Sequence, residues 1–311
     1  MSKVDPESIR ALLPENQRAQ PPFFFPAEQI QKFVKDLKCT VQDLGRALAQ
    51  LIAPFALAPL SEFHVGACTF GQTGNAYLGV NMEFTGTTIN QNVHAEQCAI
   101  TNAWLRGEKQ LVRMCTTETP CGHCRQFMAE LPGFDEFEIC VVGKPTKLIQ
   151  EFLPEAFRPV ALNIDWKKIN PFISTFNNAT LDSDISSLPE NQKSLVNKTF
   201  DAFKKAYSPF QISQTSPSAA GIRLKNGDVF SAGYLENIAF NPSMMPLNAA
   251  LVAMLTQSHN HDWSQIESCV LLEDPKSKVQ QSLCAKSFLC ALSQNATFSS
   301  YQVSVDHKRT E

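Results

Sequence analysis

Two short motifs contain the side chains that could perform chemistry. The first is His94-Ala95-Glu96, and the second is Pro120-Cys121-Gly122-His123-Cys124. Imidazole nitrogen and thiolate sulfur are ligands that Zn²⁺ favours, and a catalytic zinc keeps three protein ligands and one open position. His94, Cys121 and Cys124 supply three ligands. The pattern therefore predicts one Zn²⁺ per chain, with a coordination position free for water.

Glu96 lies two residues after His94 and is not needed as a ligand. A carboxylate beside metal-bound water can accept its proton and later deliver protons to a leaving group. The two cysteines are spaced to lie on one side of the first turn of a helix, where the helix dipole favours thiolates. A closed structural site with His123 or Cys115 as the fourth ligand is the alternative, and it would leave Glu96 without a role.

Around the motifs, the spacing of apolar residues alternates between that typical of helices and that typical of strands. Apolar residues at helical spacing predict two helices between Ala27 and Ala53, broken near Lys38–Thr40. The segments that follow predict strands over 63–70, 76–81, 111–116 and 137–142, and helices over 95–105 and 121–131. This order predicts an α/β fold with a mixed sheet and helices packed on it.

The second half of the chain repeats part of the first. Ala220-Gly221-Ile222-Arg223-Leu224 is similar to Val65-Gly66-Ala67-Cys68-Thr69, and counting on places Leu247-Asn248-Ala249 at the position of His94-Ala95-Glu96. We therefore predict a duplicated fold whose degenerate second copy has lost the polar triplet. The predicted divisions are an N-terminal arm and helix over 1–39, a catalytic domain over 40–165, a linker over 166–187 and a degenerate domain over 188–305.

Length, net charge and cysteine content limit the kinds of partner and the cellular location expected of the chain. The 311 residues carry a formal net charge of -3, without the basic stripe that nucleic-acid-binding proteins usually have. We see no secretory signal at the start and no run of the ~18 apolar residues that a membrane span needs. The ten cysteines fit free thiols and a metal site better than a disulfide framework. We predict a cytoplasmic protein that binds neither nucleic acid nor a membrane.

A family resemblance extends these inferences. His-x-Glu followed by Pro-Cys-x-x-Cys is the signature of zinc-dependent nucleobase deaminases. The stretches around it resemble the cytidine deaminases that act on free nucleosides: 61–67, 81–84, 93–97 and 119–127. The chain length and the stretch 236–242 resemble the two-domain, homodimeric branch found in bacteria and plants. The resemblance covers residues 40–300, and the first 39 residues are matched least.

The resemblance implies a fold, a reaction and an assembly. The fold is a cytidine-deaminase-like arrangement of α-β-α layers. The reaction is hydrolytic deamination of cytidine and 2′-deoxycytidine to uridine and 2′-deoxyuridine, through zinc-bound hydroxide with Glu96 as the proton shuttle. A homodimer serving pyrimidine salvage is implied as well.

The resemblance also implies roles for residues outside the metal group. Asn81 and Glu83 would bind the ribose 3′-hydroxyl, and Phe63 would pack against the pyrimidine. The main chain of Ala95 and Thr119 would meet the polar edge of the base, and Phe240 is the candidate for a contact with the partner subunit's site.

The residues alone leave plainer interpretations of these positions open. Phe63 and Phe240 could be core, Asn81 could simply end a strand and Glu83 could be a surface charge. Arg125 is expected to brace the cysteine helix or to pair with a carboxylate, and His123 is expected to face away from the metal.

Two other functions compete with nucleoside deamination. A polynucleotide or tRNA cytosine deaminase would need a basic and aromatic groove for the strand, which the negative net charge disfavours. A non-catalytic nucleoside-binding homologue would keep the fold without activity, yet the first half keeps every residue that the chemistry needs.

Overall fold

The structure is a computed structural model that describes residues 4–162, 176–208 and 216–305. These residues form two compact units. Unit 1 contains the described residues up to Phe84 and from Asn92 to 162, and unit 2 contains Thr85–Gln91 and the described residues from 176 onward. Among the described residues, none of the helices combines the length and apolar character needed to cross a bilayer.

Unit 1 is a mixed sheet with helices. Its helices are α1 (Pro6–Leu12), α2 (Glu15–Arg18), α3 (Ala27–Leu37), α4 (Val41–Ile52), α5 (Ala95–Leu105), α6 (Gly122–Met128) and α7 (Ile149–Phe152). Its strands are β1 (Phe24–Phe25), β2 (Gly66–Gly71), β3 (Ala76–Val80), β4 (Leu111–Thr116), β5 (Glu138–Val141) and β6 (Lys147–Leu148). The order is β1-β3-β2-β4-β5-β6, and only the β4–β5 pair is parallel among these.

The helix pair before the sheet has clear local causes. Lys38 adopts a left-handed conformation (φ 48°) and ends α3. The Thr40 hydroxyl then accepts a hydrogen bond from the main-chain N–H of Asp43 over 3.1 Å and caps α4. The predicted break near Lys38–Thr40 is confirmed.

Two glycines show that α4 and α5 cover opposite faces of the sheet. A Cβ on Gly66 would lie 2.0 Å from the Ala49 carbonyl oxygen of α4. A Cβ on Gly79 would lie 2.2 Å from the Ala99 nitrogen of α5. Gly79 pairs with Ala67, the residue after Gly66, and neighbours along a strand face opposite sides. The predicted α-β-α layering is confirmed.

The N-terminal arm closes one edge of this sheet. β1 pairs antiparallel with β3, and the Phe25 ring meets the Phe33 ring edge-on at 5.7 Å. The buried side-chain amide of Asn102 donates to the carbonyl oxygens of Phe23 and Leu78, over 2.7 and 3.0 Å. The arm is therefore an integral strand of unit 1.

Unit 2 repeats the central part of this architecture. Its strands are β7 (Thr180–Leu181), β8 (Ser218–Leu224), β9 (Val229–Gly233), β10 (Ile266–Glu273) and β11 (Thr297–Ser304), and its helices are α8 (Glu190–Phe203), α9 (Pro246–Ser258) and α10 (Ser282–Leu292). The order is β7-β11-β10-β8-β9, with β10 and β11 parallel and the other pairs antiparallel. β9-β8-β10-β11 reproduces β3-β2-β4-β5, so the predicted duplication is confirmed.

Two predicted boundaries differ from the structure. The strand predicted over 63–70 begins at Gly66. Residues 63–65 form hydrogen bonds with the side chain of Asn81 rather than with the main chain of a neighbouring strand. Of the predicted linker, 166–175 lies outside the described residues. The remainder is part of unit 2, since β7 pairs with β11 and Ile185 packs on the core.

The close approach at Gly79 gives a stability prediction. Gly79→Ala places a methyl group against the main chain of α5, which cannot yield as a flexible side chain would. We expect the free energy of unfolding to fall by about 2 kcal/mol or more in urea titrations. Gly122→Ala is the matched control, because no atom lies within 4 Å of its added Cβ. Equal losses in the two variants would contradict this account.

Candidate active site

His94 lies between a β-bridge and a helix. The preceding residue, Val93, pairs with Met82 through main-chain hydrogen bonds of 2.8 and 2.9 Å. His94 is then the N-cap residue of α5, and its main-chain N–H donates to the Gln97 side chain over 3.3 Å. The backbone is thus held on both sides of the imidazole.

The two cysteines lie at the start of α6. Cys121 is the N-cap residue and Cys124, which is fully buried, lies in the first turn. Arg125 holds this turn, since its Nε donates to the Pro120 carbonyl over 2.8 Å and its Nη1 donates to the Phe152 carbonyl over 3.0 Å. The bracing role predicted for Arg125 is confirmed.

His94, Cys121 and Cys124 form a group suited to a metal ion. Their ligand atoms all lie within 4.8 Å of one another, and His94 Nδ1 is 3.4 Å from Cys121 Sγ. One imidazole and two sulfurs are a zinc donor set. Among the described residues, this group includes neither His123, whose ring stacks on His94 at 5.1 Å, nor Cys115, which pairs with Cys140 across β4 and β5. The closed four-ligand alternative thus receives no support from the geometry.

The thiols of this group differ in their affinity for a proton. A hydrogen bond from the Cys124 thiol, helped by His94, lowers the pKa of Cys121 to about 3. The same hydrogen bond raises the pKa of Cys124, which is also buried. Cys121 therefore carries the negative charge, and a cation arriving at the group takes the place of the remaining thiol proton.

Glu96 is buried beside the sulfurs. Its side chain is 5% exposed, and burial raises the pKa of its carboxyl, although a hydrogen bond from Cys124 opposes the rise. A carboxyl group with a raised pKa exchanges a proton near neutral pH more readily than an exposed one does. Glu96 is thus placed to carry a proton at the metal group.

Glu83 and Asn81 hold the loop 60–65 in position. The Glu83 carboxylate accepts hydrogen bonds from the main-chain N–H groups of Leu60 and Ser61, each over 2.9 Å, and from the Ser61 hydroxyl. Burial opposes ionisation, but these hydrogen bonds prevail and lower the pKa of Glu83. The carboxylate is therefore a fixed negative charge with a structural task.

Phe63 is presented to solvent by this arrangement. Asn81 Nδ2 donates to the Phe63 carbonyl over 2.9 Å, and Asn81 Oδ1 accepts from the Val65 N–H over 2.8 Å. The Phe63 side chain is 56% exposed, which excludes the interpretation of Phe63 as core. An exposed aromatic ring on a firmly held loop is available for stacking with a flat ligand.

Ala95 and Thr119 lie next to the metal-binding motifs. Ala95 is the buried first residue of α5, so its N–H has no partner within the helix ladder. Thr119 precedes Pro120, and its hydroxyl accepts a hydrogen bond from Lys144 Nζ over 2.5 Å. The base contacts predicted for Ala95 and Thr119 stay predictions.

The geometry agrees with what the comparisons find. Models of the cytidine and deoxycytidylate deaminase zinc-binding region match residues 43–139 and 149–286. Cytidine deaminases of Proteus mirabilis and Photorhabdus laumondii are 36% and 37% identical, over 94% and 91% of this chain and 94% and 90% of theirs. The chain belongs to the cytidine deaminase family. The solved cytidine deaminase of Mycobacterium tuberculosis is 27% identical and matches 37% of this chain and 95% of its own, with a TM-score of 0.34. Zinc is accordingly the cofactor, and this group is the candidate site for it.

Unit 2 repeats the chain path that positions His94 in unit 1. Leu235 makes one antiparallel bridge, with Met244, and one parallel bridge, as Met82 does in unit 1. Met245 follows that bridge and is the N-cap residue of α9. Met245 therefore occupies the position of His94.

The predicted place of the lost triplet is wrong by two residues. Met245-Pro246-Leu247, rather than Leu247-Asn248-Ala249, stands where His94-Ala95-Glu96 stands in unit 1. A thioether and an aliphatic side chain replace the imidazole and the carboxyl. Within the described part of unit 2, no group of candidate metal ligands occurs.

Phe240 is an exposed residue of unit 2. It adopts a left-handed conformation (φ 60°) in a tight turn, where its N–H donates to the Asn237 carbonyl over 2.8 Å. Its side chain is 61% exposed, so the interpretation of Phe240 as core filler is wrong.

Sequence reasoning missed Ser61 and Lys144. Ser61 Oγ donates to Glu83 and accepts from the Phe63 N–H over 3.1 Å, so this hydroxyl links the carboxylate to the aromatic loop. Lys144 is joined to Thr119 by a contact between segments 25 residues apart. The sequence held no local signal for either contact, because each joins segments that are far apart in the chain.

The amount of bound zinc in single variants tests whether His94 or His123 is a metal ligand. Cys124→Ala and His94→Ala each remove a ligand, and we expect the bound zinc to fall from about one per chain to less than a tenth of that value. His123→Ala is the control and should retain the metal, since His123 is not in the ligand group. Elemental analysis after exhaustive dialysis measures the content. Loss of zinc in His123→Ala would restore the four-ligand alternative.

The loop contact of Glu83 predicts a change in hydrogen exchange. Glu83→Gln replaces one of two accepting oxygens by a donor, so the amides of Leu60 and Ser61 should exchange at least about fivefold faster. Glu62→Gln makes the same chemical change at an exposed neighbour and should leave the rates unaltered. Mass spectrometry of peptides spanning 60–65 reports both. Unchanged exchange in Glu83→Gln would show that the loop is held by other contacts.

Proposed function

We propose that this protein catalyses the hydrolytic deamination of cytidine and 2′-deoxycytidine to uridine and 2′-deoxyuridine, releasing ammonia. The observation that carries the proposal is the buried Glu96 carboxyl, hydrogen-bonded to Cys124 within a His-Cys-Cys group. Its relatives of 36% and 37% identity are named cytidine deaminases. A role in the reuse of pyrimidine nucleosides follows from the reaction.

Three side chains hold the metal and a fourth moves protons. His94, Cys121 and Cys124 would bind Zn²⁺, which when bound supplies an acidified water molecule as the nucleophile. Glu96 would take one proton of that water and deliver it to N3 of the cytosine ring, where it remains in the product. It would then carry the second proton of the water to the amine, which departs as ammonia. Because burial raises the pKa of Glu96, the carboxyl can hold the proton between these transfers.

The loop 60–65 and its anchors would bind the nucleoside. Phe63 would offer its exposed ring to the pyrimidine. Asn81 and Glu83, which form hydrogen bonds with the same loop, have polar atoms suited to ribose hydroxyls. The net charge of -3 and the ionised Glu83 favour a neutral nucleoside over a nucleotide or strand. The main-chain groups of Ala95 and Thr119 would meet the polar edge of the base.

Ultraviolet absorbance with free cytidine tests the reaction. The zinc-loaded protein should convert cytidine to uridine, and Glu96→Gln should lose at least about a thousandfold in kcat while retaining zinc. Glu96→Gln conserves shape, so equal zinc content serves as the control for a correctly folded site. Activity on a cytosine-containing oligonucleotide and none on cytidine would favour the polynucleotide alternative. Zinc-loaded protein inactive on both would favour the non-catalytic one.

We also propose a homodimer in which Phe240 of one subunit contacts the active site of the other. The support is the exposure of this ring at the tip of a tight turn, together with the resemblance of 236–242 to the dimeric branch. An apolar ring exposed to this extent gains stability when a partner covers it. The cytoplasmic location stays a prediction.

Mixed subunits test this proposal. Glu96→Ala and Phe240→Ala homodimers should each be impaired, the first completely and the second through a raised KM. In a mixed dimer, the site with an intact Glu96 receives an intact Phe240 from its partner. Subunits refolded together should therefore regain up to about a quarter of wild-type activity at low substrate, a statistical share of one restored site in half of the dimers. Activity equal to the sum of the separate variants would place Phe240 in its own subunit's site or in none.

A further inference from the structure

The loop between β4 and α6 contains two main-chain groups that a ligand could bind. The Glu118 carbonyl accepts a hydrogen bond from the Thr116 hydroxyl over 2.6 Å. The Pro120 carbonyl accepts one from Arg125 Nε over 2.8 Å. Thr119, between them, is half-buried, and its N–H and carbonyl form no hydrogen bond within the described part of the chain. Main-chain polar groups seldom stay unpaired, so water or a ligand is expected to pair with these two.

A lysine from another segment holds this threonine. Lys144 is exposed, and its Nζ donates to the Thr119 hydroxyl over 2.5 Å. The side chain of a β-branched residue is stiff about χ1. A hydrogen bond that fixes the hydroxyl of Thr119 therefore also restricts the main chain that bears it. Lys144 thus acts on the two unpaired groups without contacting them.

The turn that bears Lys144 is fixed from the core by Arg46. Arg46 belongs to α4 and is 8% exposed. Its Nη2 donates to the Lys144 carbonyl over 3.2 Å and to the Thr146 hydroxyl over 2.7 Å. Its Nε donates to the Val141 carbonyl over 3.1 Å. Because a guanidinium is planar and presents its donors in fixed directions, these hydrogen bonds hold the main chain of the turn in one place.

We propose that Lys144 is a positioning residue for the pyrimidine base. It fixes Thr119 so that the unpaired main-chain groups of Thr119 meet the polar edge of the base. The inference rests on the proposed deamination of cytidine and adds a residue to it. Lys144 acts through Thr119, and the protons are moved by Glu96 as before.

Replacement of Lys144 should change substrate affinity more than turnover. Lys144→Met removes the donor and keeps a chain of similar length. The polar edge of the base meets Thr119 in the ground state and in the transition state, so both should be weakened alike. We expect KM for cytidine to rise at least about fivefold while kcat stays within about twofold of the wild type. Lys144→Arg keeps a charged donor and should recover most of the wild-type KM.

Lys147→Met is the matched control. Lys147 lies three residues further along, and its Nζ pairs with Glu151 over 3.4 Å. The same chemical change there should leave KM unaltered. Thr119→Val removes the accepting hydroxyl and keeps the branched shape. It should raise KM as Lys144→Met does, and the double variant should be no worse than the more impaired single variant, because both changes delete one hydrogen bond.

Initial rates with cytidine on the zinc-loaded proteins give KM and kcat for each variant, and zinc content measured alongside reports an intact metal group. A raised KM in Lys144→Met, its recovery in Lys144→Arg and non-additivity with Thr119→Val are the expected results. An unchanged KM in Lys144→Met, an equal rise in Lys147→Met, or additive effects in the double variant would overturn the role of Lys144 and leave deamination standing. A wild-type protein that does not convert cytidine would refute the deamination itself, and the role of Lys144 with it.

Discussion

The main chain at Met82 joins three segments of unit 1. Met82 pairs with the residue preceding His94, while Asn81 and Glu83 exchange hydrogen bonds of 2.9 and 2.7 Å with Leu57. Successive side chains of an extended segment point in opposite directions, so this pairing sets the directions of the residues on either side. The same pairing places the start of α5 and its histidine. A shift of one residue in the register of this pairing would turn the Asn81 and Glu83 side chains away from loop 60–65. The same shift would displace His94.

Unit 2 shows which parts of this arrangement are structural. Leu235 repeats the bridges of Met82, and the next residue, Glu236, takes the place of Glu83. Glu236 is buried and its carboxylate accepts a hydrogen bond from the Ser208 hydroxyl over 2.8 Å. A carboxylate that ties down the preceding loop thus persists where the metal ligands are gone. The anchoring role of Glu83 is therefore separable from any contact with a substrate.

Helices and strands that depend on local sequence patterns were predictable, whereas pairings between residues far apart in the sequence were not. The helix over 95–105 and the strand over 111–116 have the bounds that periodicity predicts, because local spacing determines them. The correspondence of Leu247 with His94 failed because the connecting segment is shorter in unit 2. Met244 follows its bridge partner Leu235 by nine residues, whereas Val93 follows Met82 by eleven, so counting on from the strand overshoots by two. Only main-chain pairing reveals it. Likewise, no local signal distinguishes an exposed Phe63 from a core one, since the side chain of Asn81 decides the loop's path.

The assignment of Thr85–Gln91 to unit 2 has a consequence for biosynthesis. These residues leave the ribosome with the first half of the chain, but Asn248, which binds the Gln91 carbonyl, is made 157 residues later. Unit 1 can close its sheet before that, while this short segment waits for the rest of the chain. The contacts of this segment with unit 2 therefore form only after Asn248 has been made, whereas the Met82–Val93 pairing that places His94 lies within unit 1 and can form earlier.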